Sequence, residues 1–303
     1  MDLTIITVTY HSREYIDACI MSVVTSTLGI AYEHIIVDNA STDGTVELIE
    51  SGYLQYVRLI KNQQNVGFAA ANNQAALEAR GRYVLFLNPD MRVHKGYLDT
   101  LINWMDKRPE IGLSSCQLLS HDEQPHPALR PMRFPSLFPY VPALMKLRPF
   151  FCSVHPRFFY PDFQDELEQE VEVVRGAFML VRKEIVEMLG FAFDPQYFIL
   201  FEDIDLCREV KRLGYKVVYT PQVSCVDYFG RSFLSQTRAW KYRAMTRSFM
   251  TYVRKWHHPV HLLWLRLLIL LGFVVRIPEW GIREVKNAVC LCNLRENTKK
   301  ITE

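Results

Sequence analysis

The sequence lacks the short motifs that identify several common classes of protein. No C-x-x-C pair occurs, and the seven cysteines are scattered along 303 residues, which argues against a zinc site and for reduced thiols. No G-x-x-x-x-G-K-[ST] occurs, which excludes a P-loop nucleotide hydrolase, and no G-x-G-x-x-G follows the first strand, which disfavours a dinucleotide site. The net charge of +2 is too small to indicate that the whole chain binds nucleic acid. There is no internal repeat, and the N-terminus has no basic n-region, so we expect no signal peptide.

The chain is organised around the segment YVLFLNPD, Tyr83 to Asp90. Its first five residues are apolar, aromatic or β-branched, which is typical of a strand buried on both faces. Pro89 cannot donate to a sheet ladder, so the strand must end before it. A carboxylate, Asp90, is therefore left at the carboxyl end of a central strand, where open α/β sheets bind ligands.

The first part of the chain alternates predicted strands and helices. The apolar runs predict strands at 3–9, 35–38, 56–60 and 83–87. Helical spacing predicts a helix from Tyr15 to Val24, and the cap chemistry of Ser41-Thr42-Asp43 predicts a second helix after it. The alanine-rich stretch from Gly67 to Ala79 predicts a third helix, ended by Gly81. Such a βαβαβαβ run predicts a parallel, doubly wound sheet.

Polar residues follow each of these strands. All of them lie at one edge if the sheet is parallel, and together they predict a cleft, although each alone suits an ordinary turn or cap. They are Thr7, Thr9 and Tyr10 after the first strand, Asp38, Asn39 and Ser41 after the second, Asn65 and Gly67 after the third, and Asn88 and Asp90 after the fourth.

Two later segments are informative. Between Pro125 and Pro161 nine of the fifteen prolines alternate with aromatic residues, which predicts a long irregular excursion. Val171 to Val181 reads as a strand that Gly176 interrupts, and glycine in a strand often marks the close approach of a ligand or of another backbone.

A second acidic segment follows an aromatic run at Tyr197 to Phe201. Glu202, Asp203 and Asp205 come next, with Asp203 expected at the N-cap of a helix that Gly214 ends. Three acids exceed what a helix N-terminus needs, and a carboxylate beside an aromatic wall suits a general base.

Five segments in order resemble the motifs of family 2 glycosyltransferases, which have the GT-A fold. They are VDNASTDGT (37–45), NVGFAAANN (65–73), FLNPD (86–90), RGAFMLVR (175–182) and FEDIDLC (201–207). The resemblance covers about residues 3 to 255. The segment from Gly230 to Trp256 further resembles bacterial rhamnosyltransferases of surface-polysaccharide (O-antigen) synthesis.

The resemblance implies an inverting, metal-dependent hexosyltransferase that uses a nucleotide sugar. Thr7, Thr9, Tyr10, Asp38, Asn39, Asn65, Gly67, Asn88 and Asp90 would bind the donor. Asp90 would hold Mg²⁺ or Mn²⁺ against the donor diphosphate. Asp203 would deprotonate the acceptor hydroxyl, with Arg175, Gly176 and Glu202 bordering the acceptor.

The chain departs from the family pattern at two places. Asn88 occupies the position of the first acid of the Asp-x-Asp metal motif, so one charge is missing. Asp227 occupies the position of a histidine that relatives often carry in an H-x-G-x-S segment. Asp227 either ligates the metal as a carboxylate or leaves that ligand absent.

The C-terminal part is basic and then apolar. From Tyr228 to Pro278 there are nine Lys or Arg residues and no acidic residue, and Val260 to Val275 is nearly all apolar. Arg266 interrupts that run, which is short for a spanning helix, so the pattern favours peripheral membrane contact through 231–276. A buried core helix or an oligomer interface is the alternative, and nucleic acid is not an expected partner.

These observations predict a GT-A catalytic domain at 1–232 and a helical C-terminal region at 233–303 for membrane association or oligomerisation. The catalytic domain would have a nucleotide half at about 1–120 and an acceptor half at about 121–232. The expected reaction moves L-rhamnose from dTDP-L-rhamnose to a polyprenyl-diphosphate-linked glycan at the cytoplasmic face of the cell membrane. A UDP-hexose donor, or a non-catalytic sugar-nucleotide or glycan-binding protein, are the alternatives.

Overall fold

The computed structural model describes residues 1–27, 29–135, 160–228 and 237–276. Its N-terminal part alternates strands and helices as predicted, and the ends of the elements differ from the predicted bounds by up to three residues. The elements are β1 (Leu3–Thr9), α1 (Ile16–Ser26), β2 (Tyr32–Asp38), α2 (Thr45–Gly52), β3 (Arg58–Lys61), α3 (Phe68–Ala76) and β4 (Tyr83–Leu87).

The remaining elements complete a mixed sheet and add helices around it. They are β5 (Met91–Val93), α4 (Tyr97–Asp106), β6 (Ile111–Leu119), a 3₁₀ turn (Pro127–Leu129), β7 (Gln169–Glu170), β8 (Phe178–Arg182), α5 (Lys183–Leu189), α6 (Glu202–Arg212), β9 (Lys216–Asp227), α7 (Arg238–Trp256) and α8 (Val260–Arg276).

The sheet has nine strands, with β3-β2-β1-β4-β8-β6-β9-β5 in order and β7 beside β9. Strands β3, β2, β1 and β4 are mutually parallel, as predicted. Strand β8 runs antiparallel between β4 and β6, and β5 and β7 run antiparallel to β9. The prediction of a predominantly parallel α/β sheet flanked by helices is confirmed, with antiparallel strands confined to its second half.

Burial explains why the central strands form. Every residue of β1 and β4 is buried, because helices cover both faces of a parallel sheet and its strands carry near-continuous apolar runs. Helix α1 packs Ile16, Cys19, Ile20 and Val23 into the same core as Leu3 and Ile5 of β1. The crossover helices therefore fix the strands, and the strands fix the loops at their carboxyl ends.

Two predictions about local structure are wrong. Val171 to Val181 is not one strand, since β8 begins only at Phe178 and residues 171–177 lie outside any strand. Gly81 does not end α3, which stops at Ala76. A Cβ at Gly81 would lie 2.3 Å from the backbone nitrogen of Thr4, so this glycine serves a close approach of two backbones.

The described residues fall into two compact units, 1–135 with 160–228 and, separately, 237–276. The second unit contains α7 and α8, which pair with each other. The predicted domain boundary at 232 and most of the proline-rich excursion lie outside the described residues. Within the described part of the chain, no helix combines the length and apolarity that crossing a membrane requires.

Candidate active site

The carboxyl ends of β1 and β2 lie side by side, and Asp38 joins them. Thr9 and Asp38 are register partners, and the Thr9 hydroxyl donates to Asp38 Oδ1 at 2.7 Å. Ser41 donates its hydroxyl to the same oxygen at 2.6 Å and its backbone N–H to Oδ2 at 2.8 Å. Asp38 is buried, and these donors hold its carboxylate in one orientation at the sheet edge.

Asn39 and Gly67 connect this edge to the next strand. The Asn39 side-chain amide donates to the Gly67 carbonyl at 3.2 Å, and Gly67 N–H donates to the Asn65 side chain at 2.9 Å. Gly67 has φ of +92°, and a Cβ there would lie 2.6 Å from both the ring and the carbonyl oxygen of Phe198. Only glycine allows this contact, which brings the segment before α6 against the start of α3.

The backbones around Asp90 and Asp227 pair in a short antiparallel ladder, in which the two residues lie one register position apart. Met91, the residue after Asp90, is the register partner of Asp227, and Tyr228 N–H donates to the Asp90 carbonyl at 3.1 Å. Both aspartates are buried. Asn88 lies at the same turn, where its N–H donates to the Ala177 carbonyl at 3.0 Å.

These two aspartates have the chemistry that a hard divalent cation requires. Mg²⁺ and Mn²⁺ prefer carboxylate oxygens and are commonly held by one or two carboxylates together with substrate phosphates. Among the described residues, no group of three or more His, Cys, Asp or Glu side chains is arranged to hold a metal ion. If these two carboxylates held one cation, a bound diphosphate would have to supply its remaining ligands.

A strained turn delivers the acidic segment to this edge. Leu200 and Phe201 both have φ of +70°, a conformation that non-glycine residues adopt rarely and that clusters at functional sites. Phe201 occupies the N-cap position of α6, so the prediction that Asp203 is the N-cap is wrong. Asp203 lies in the first turn instead, because the left-handed turn begins the helix two residues earlier.

Asp203 is held by backbone donors from two elements. Gly176 N–H donates to Oδ2 at 3.0 Å, and Ile204 N–H donates to Oδ1 at 2.8 Å. Burial raises the pKa of Asp203, while these donors and the charge of Arg175 lower it. The result is a half-buried carboxylate of raised pKa, which suits a general base.

The acids on either side of Asp203 differ in their surroundings. Glu202 is buried, its Oε2 has no hydrogen-bond partner, and burial with the nearby Asp203 charge raises its pKa well above the usual range. Asp205 is fully buried and accepts from the Tyr197 hydroxyl at 3.3 Å. Asp205 therefore anchors the first turn of α6, whereas Glu202 is a buried acid of raised pKa next to Asp203.

Arg175 lies near two of the acidic residues, Asp203 and Asp227. Its guanidinium donates to the Ala128 carbonyl, and its buried Nε has no partner. Burial lowers the pKa of Arg175, and the charges of Asp203 and Asp227 oppose that effect. The Arg175 guanidinium therefore lies within electrostatic reach of both Asp203 and Asp227.

Thr7 and Tyr10, two of the residues expected to bind the donor, already contact histidine side chains of the protein. Thr7 is buried within the sheet, where its hydroxyl lies 2.9 Å from His34 Nε2. Tyr10 is half-buried and its ring centroid lies 4.2 Å from that of His11. Thr9 and Asp38 are the last residues of β1 and β2, and the other expected residues, Asn39, Asn65, Gly67, Asn88 and Asp90, lie in the loops after β2, β3 and β4.

Sequence reasoning missed an aromatic and cationic group beside Asp90. The Arg92 guanidinium lies 5.0 Å from the centroid of the Tyr228 ring, and the Tyr15 ring lies 6.1 Å from the same ring. The only signal for it was that Tyr228 directly follows Asp227 and Arg92 closely follows Asp90. Such rings and guanidinium groups are common lining for nucleotide and sugar sites.

Comparison with known proteins identifies the family. The model of glycosyl transferase family 2 matches residues 4–190, more than half of the chain. The N-acetylglucosaminyl-diphospho-decaprenol L-rhamnosyltransferase of Mycobacterium tuberculosis H37Rv is 26% identical over 254 residues, covering 76% of this chain and 77% of its own. Rhamnosyltransferase WbbL of Escherichia coli K12 is 28% identical over 193 residues, covering 60% and 69%.

Solved structures agree on the fold. A mannosyltransferase from Pyrobaculum calidifontis, solved with GDP-Man and Mn²⁺, superposes with a TM-score of 0.56 at 18% identity, covering 96% of this chain and 79% of that one. GalNAc-T7 with UDP, GalNAc and Mn²⁺ gives a TM-score of 0.56 at 15% identity, covering 75% and 44%. The predicted GT-A fold is confirmed, and with the sequence match it follows that this chain belongs to glycosyltransferase family 2 and is a glycosyltransferase.

Proposed function

We propose that the protein transfers L-rhamnose from dTDP-L-rhamnose, with inversion, to a glycan linked to a polyprenyl diphosphate at the cytoplasmic face of the cell membrane. The two rhamnosyltransferase relatives support the sugar, and the lipid-linked acceptor in the name of the mycobacterial relative supports the acceptor class. The observation that carries the chemistry is Asp203, a carboxylate of raised pKa that is fixed by backbone donors and lies within reach of the Arg175 charge.

In this proposal the donor lies along the edge formed by β1 to β4. Asp38, Asn39, Thr9 and Tyr10 bind the nucleoside, with Asn65 and Gly67 shaping the adjacent loop, and Thr7 lies beneath them within β1 and does not reach the donor. The diphosphate lies at the turn of Asn88 and Asp90. The carboxylates of Asp90 and Asp227 would hold Mg²⁺ or Mn²⁺, and when bound the cation neutralises charge on the leaving diphosphate.

The acceptor lies on the other side of Asp203. Arg175, Gly176 and Glu202 border it, and Asp203 takes the proton from the attacking hydroxyl. The acceptor oxygen forms its bond to the anomeric carbon as the bond from that carbon to the diphosphate oxygen breaks. The nucleoside diphosphate leaves with the electron pair, and attack opposite the leaving group inverts the anomeric centre.

The first test identifies the donor. A ligand that binds only the native state raises apparent thermal stability, so dTDP-rhamnose with Mg²⁺ should raise the Tm more than UDP-, GDP- or other dTDP-sugars do. Transfer to a polyprenyl-diphosphate-linked N-acetylglucosamine should then follow with the same donor preference. A larger shift and faster transfer with a UDP-hexose would replace the rhamnose assignment while leaving the reaction class in place.

A further inference from the structure

Helix α8 presents an apolar face to solvent. Val260, Leu263, Trp264 and Leu267 are 48–64% exposed, and their i, i+3, i+4, i+7 spacing places them within one arc of the helix. The opposite side is packed, since Leu265 is 3% exposed and the Tyr242 hydroxyl donates to the Ile269 carbonyl at 3.2 Å. One side of α8 therefore packs within its own unit, and the other side is a continuous exposed patch.

This patch differs from the other exposed apolar residues. The large apolar residues exposed in the first unit are dispersed along its sequence, for example Leu54, Leu77 and Met188. Singly exposed apolar residues are normal on a protein surface, but a contiguous patch marks an interaction site. Four exposed residues within eight positions of α8 form such a patch.

The unit that carries the patch is strongly basic. Residues 237–276 contain no acidic residue, although the whole chain has a net charge of only +2. Arg247 and Arg254 are exposed on one face of α7, and Arg266 is exposed on α8. The basic residues are Arg238, Lys241, Arg243, Arg247, Arg254, Lys255, Arg266 and Arg276.

We propose that the exposed face of α8 docks on an anionic lipid bilayer. An apolar arc that includes Trp264, on a helix that also exposes Arg266 and belongs to a unit without acidic residues, has the chemistry of a helix that lies in the plane of the membrane interface. Anionic headgroups supply the negative charge that this unit lacks. A second copy of the chain suits the face poorly, because a twofold interface would bring two groups of eight basic residues together.

The inference rests in part on the proposed function, because a polyprenyl-linked acceptor is found only in a membrane. It deepens that function by naming the surface at which the enzyme meets its substrate. The patch is separate from the residues assigned to donor binding and to proton transfer. Membrane binding can therefore be measured without catalysis, and catalysis can be measured without a membrane.

The test uses the full chain with vesicles of phosphatidylcholine alone or mixed with phosphatidylglycerol. The wild-type protein should float with the mixed vesicles and bind weakly to phosphatidylcholine alone. Replacing Leu263, Trp264 and Leu267 together by Gln should reduce the partition coefficient about tenfold or more, because buried apolar area drives interfacial binding. The matched control replaces Leu54, Leu77 and Met188 by Gln, which removes equally exposed apolar side chains from the first unit and should leave flotation unchanged.

Charge and depth are tested separately. Replacing Arg247 and Arg254 by Gln should weaken binding by about fivefold for each residue, with a smaller effect at high salt. Acyl chains brominated near the headgroup should quench tryptophan emission of the wild type more than that of Trp264→Phe.

Each outcome decides between occupants of the patch. Unchanged flotation of the Leu263, Trp264 and Leu267 variant would overturn the proposal. If the wild-type protein does not bind vesicles and is a dimer, and the variant is a monomer, the exposed face of α8 binds a second copy of the chain. If the variant still transfers sugar to a short water-soluble acceptor and loses only transfer to a vesicle-embedded acceptor, both proposals stand. If the triple substitution reduces vesicle binding but the wild-type protein transfers sugar to neither acceptor, the proposed function fails and the docking surface stands.

Discussion

Gly176 N–H donates to Asp203 Oδ2 at 3.0 Å, and a Cβ at Gly176 would lie only 3.3 Å from the Cβ of Asp203. The glycine thus lets the backbone before β8 approach the first turn of α6 closely enough to hold the carboxylate. A backbone donor fixes the acid more rigidly than a flexible side chain would. The base of the proposed reaction is therefore oriented before the acceptor arrives.

Asp203→Asn should abolish most transfer while the donor still binds. The amide preserves the shape of the side chain but cannot accept the acceptor proton, and loss of a general base costs about a hundredfold or more in kcat. Steady-state transfer assays measure the loss, and thermal shift with the donor shows that binding remains. Glu202→Gln is the control in the same helical turn and should retain more activity. Near-normal turnover by Asp203→Asn would transfer the role of base to Glu202 or Asp205.

The pH dependence of kcat should report the raised pKa of Asp203. The base acts as carboxylate, so kcat should rise with pH through a pKa above the usual aspartate range, because burial raises it. Arg175→Gln removes a cation that lowers this pKa, so the acidic limb should move to still higher pH. Arg212→Gln, at the far end of α6, removes a positive charge that pairs with Glu209 and should leave the limb in place.

The plateau at high pH separates two roles of Arg175. If Arg175 acts only through the charge of Asp203, the Gln variant and the wild type should reach the same kcat once Asp203 is fully ionised. A deficit that persists at high pH, together with a raised KM for the acceptor, would show that Arg175 also contacts the acceptor. If the acidic limb of the pH profile does not move in Arg175→Gln, Arg175 does not control the pKa of Asp203.

The N-terminal half of the fold was predictable because its signals are local. The runs at Leu3–Thr9 and Tyr83–Leu87 are apolar on both faces, and the structure has strands with these bounds. Parallel strands present their carboxyl ends at one edge, so Asp38, Asn39 and Asp90 could be placed at that edge from the order of strands alone. Placing these residues required no knowledge of contacts between segments that are distant in the sequence.

The second half depended on long-range contacts that the sequence does not signal. Strand β5 has three residues, too few for a periodic pattern, and its pairing with β9 places Asp90 one register position from Asp227. The turn before α6 uses left-handed Leu200 and Phe201, where glycine or asparagine would have signalled that conformation. Tertiary packing against Gly67 and Gly176 overrides local preference there, so the N-cap was misplaced.

Gly67→Ala should destabilise the protein more than Gly190→Ala. Both glycines have positive φ, which costs a side chain about 1–2 kcal/mol. A Cβ at Gly190 meets nothing within 4 Å, whereas one at Gly67 meets Phe198 at 2.6 Å, and such crowding adds about 1–3 kcal/mol. Urea unfolding midpoints measure the difference. Displacement of Phe198 should also lower kcat in Gly67→Ala alone, and equal effects of the two substitutions would show that the contact with Phe198 is unimportant.

Metal and donor should bind together. Two carboxylates offer too few ligands for a tight cation site, so Mg²⁺ alone should bind weakly, and the donor diphosphate should raise its affinity by completing the ligand set. Asp90→Ala should abolish the effect of metal on donor affinity while nucleoside binding near Asp38 persists. Calorimetry with dTDP-rhamnose and with thymidine can distinguish these two effects.

Asp227 supplies a hard oxygen where a histidine would supply nitrogen, so activity with Mg²⁺ should at least equal that with Mn²⁺. Asp227→His should shift the preference toward Mn²⁺. Asp99→His, away from the cleft beside Gly29, is the matched control and should leave the preference unchanged. Donor affinity of the wild type that EDTA does not alter would show the metal assignment to be wrong, whereas an Asp227→His variant with unaltered preference would remove only Asp227 from the ligand set.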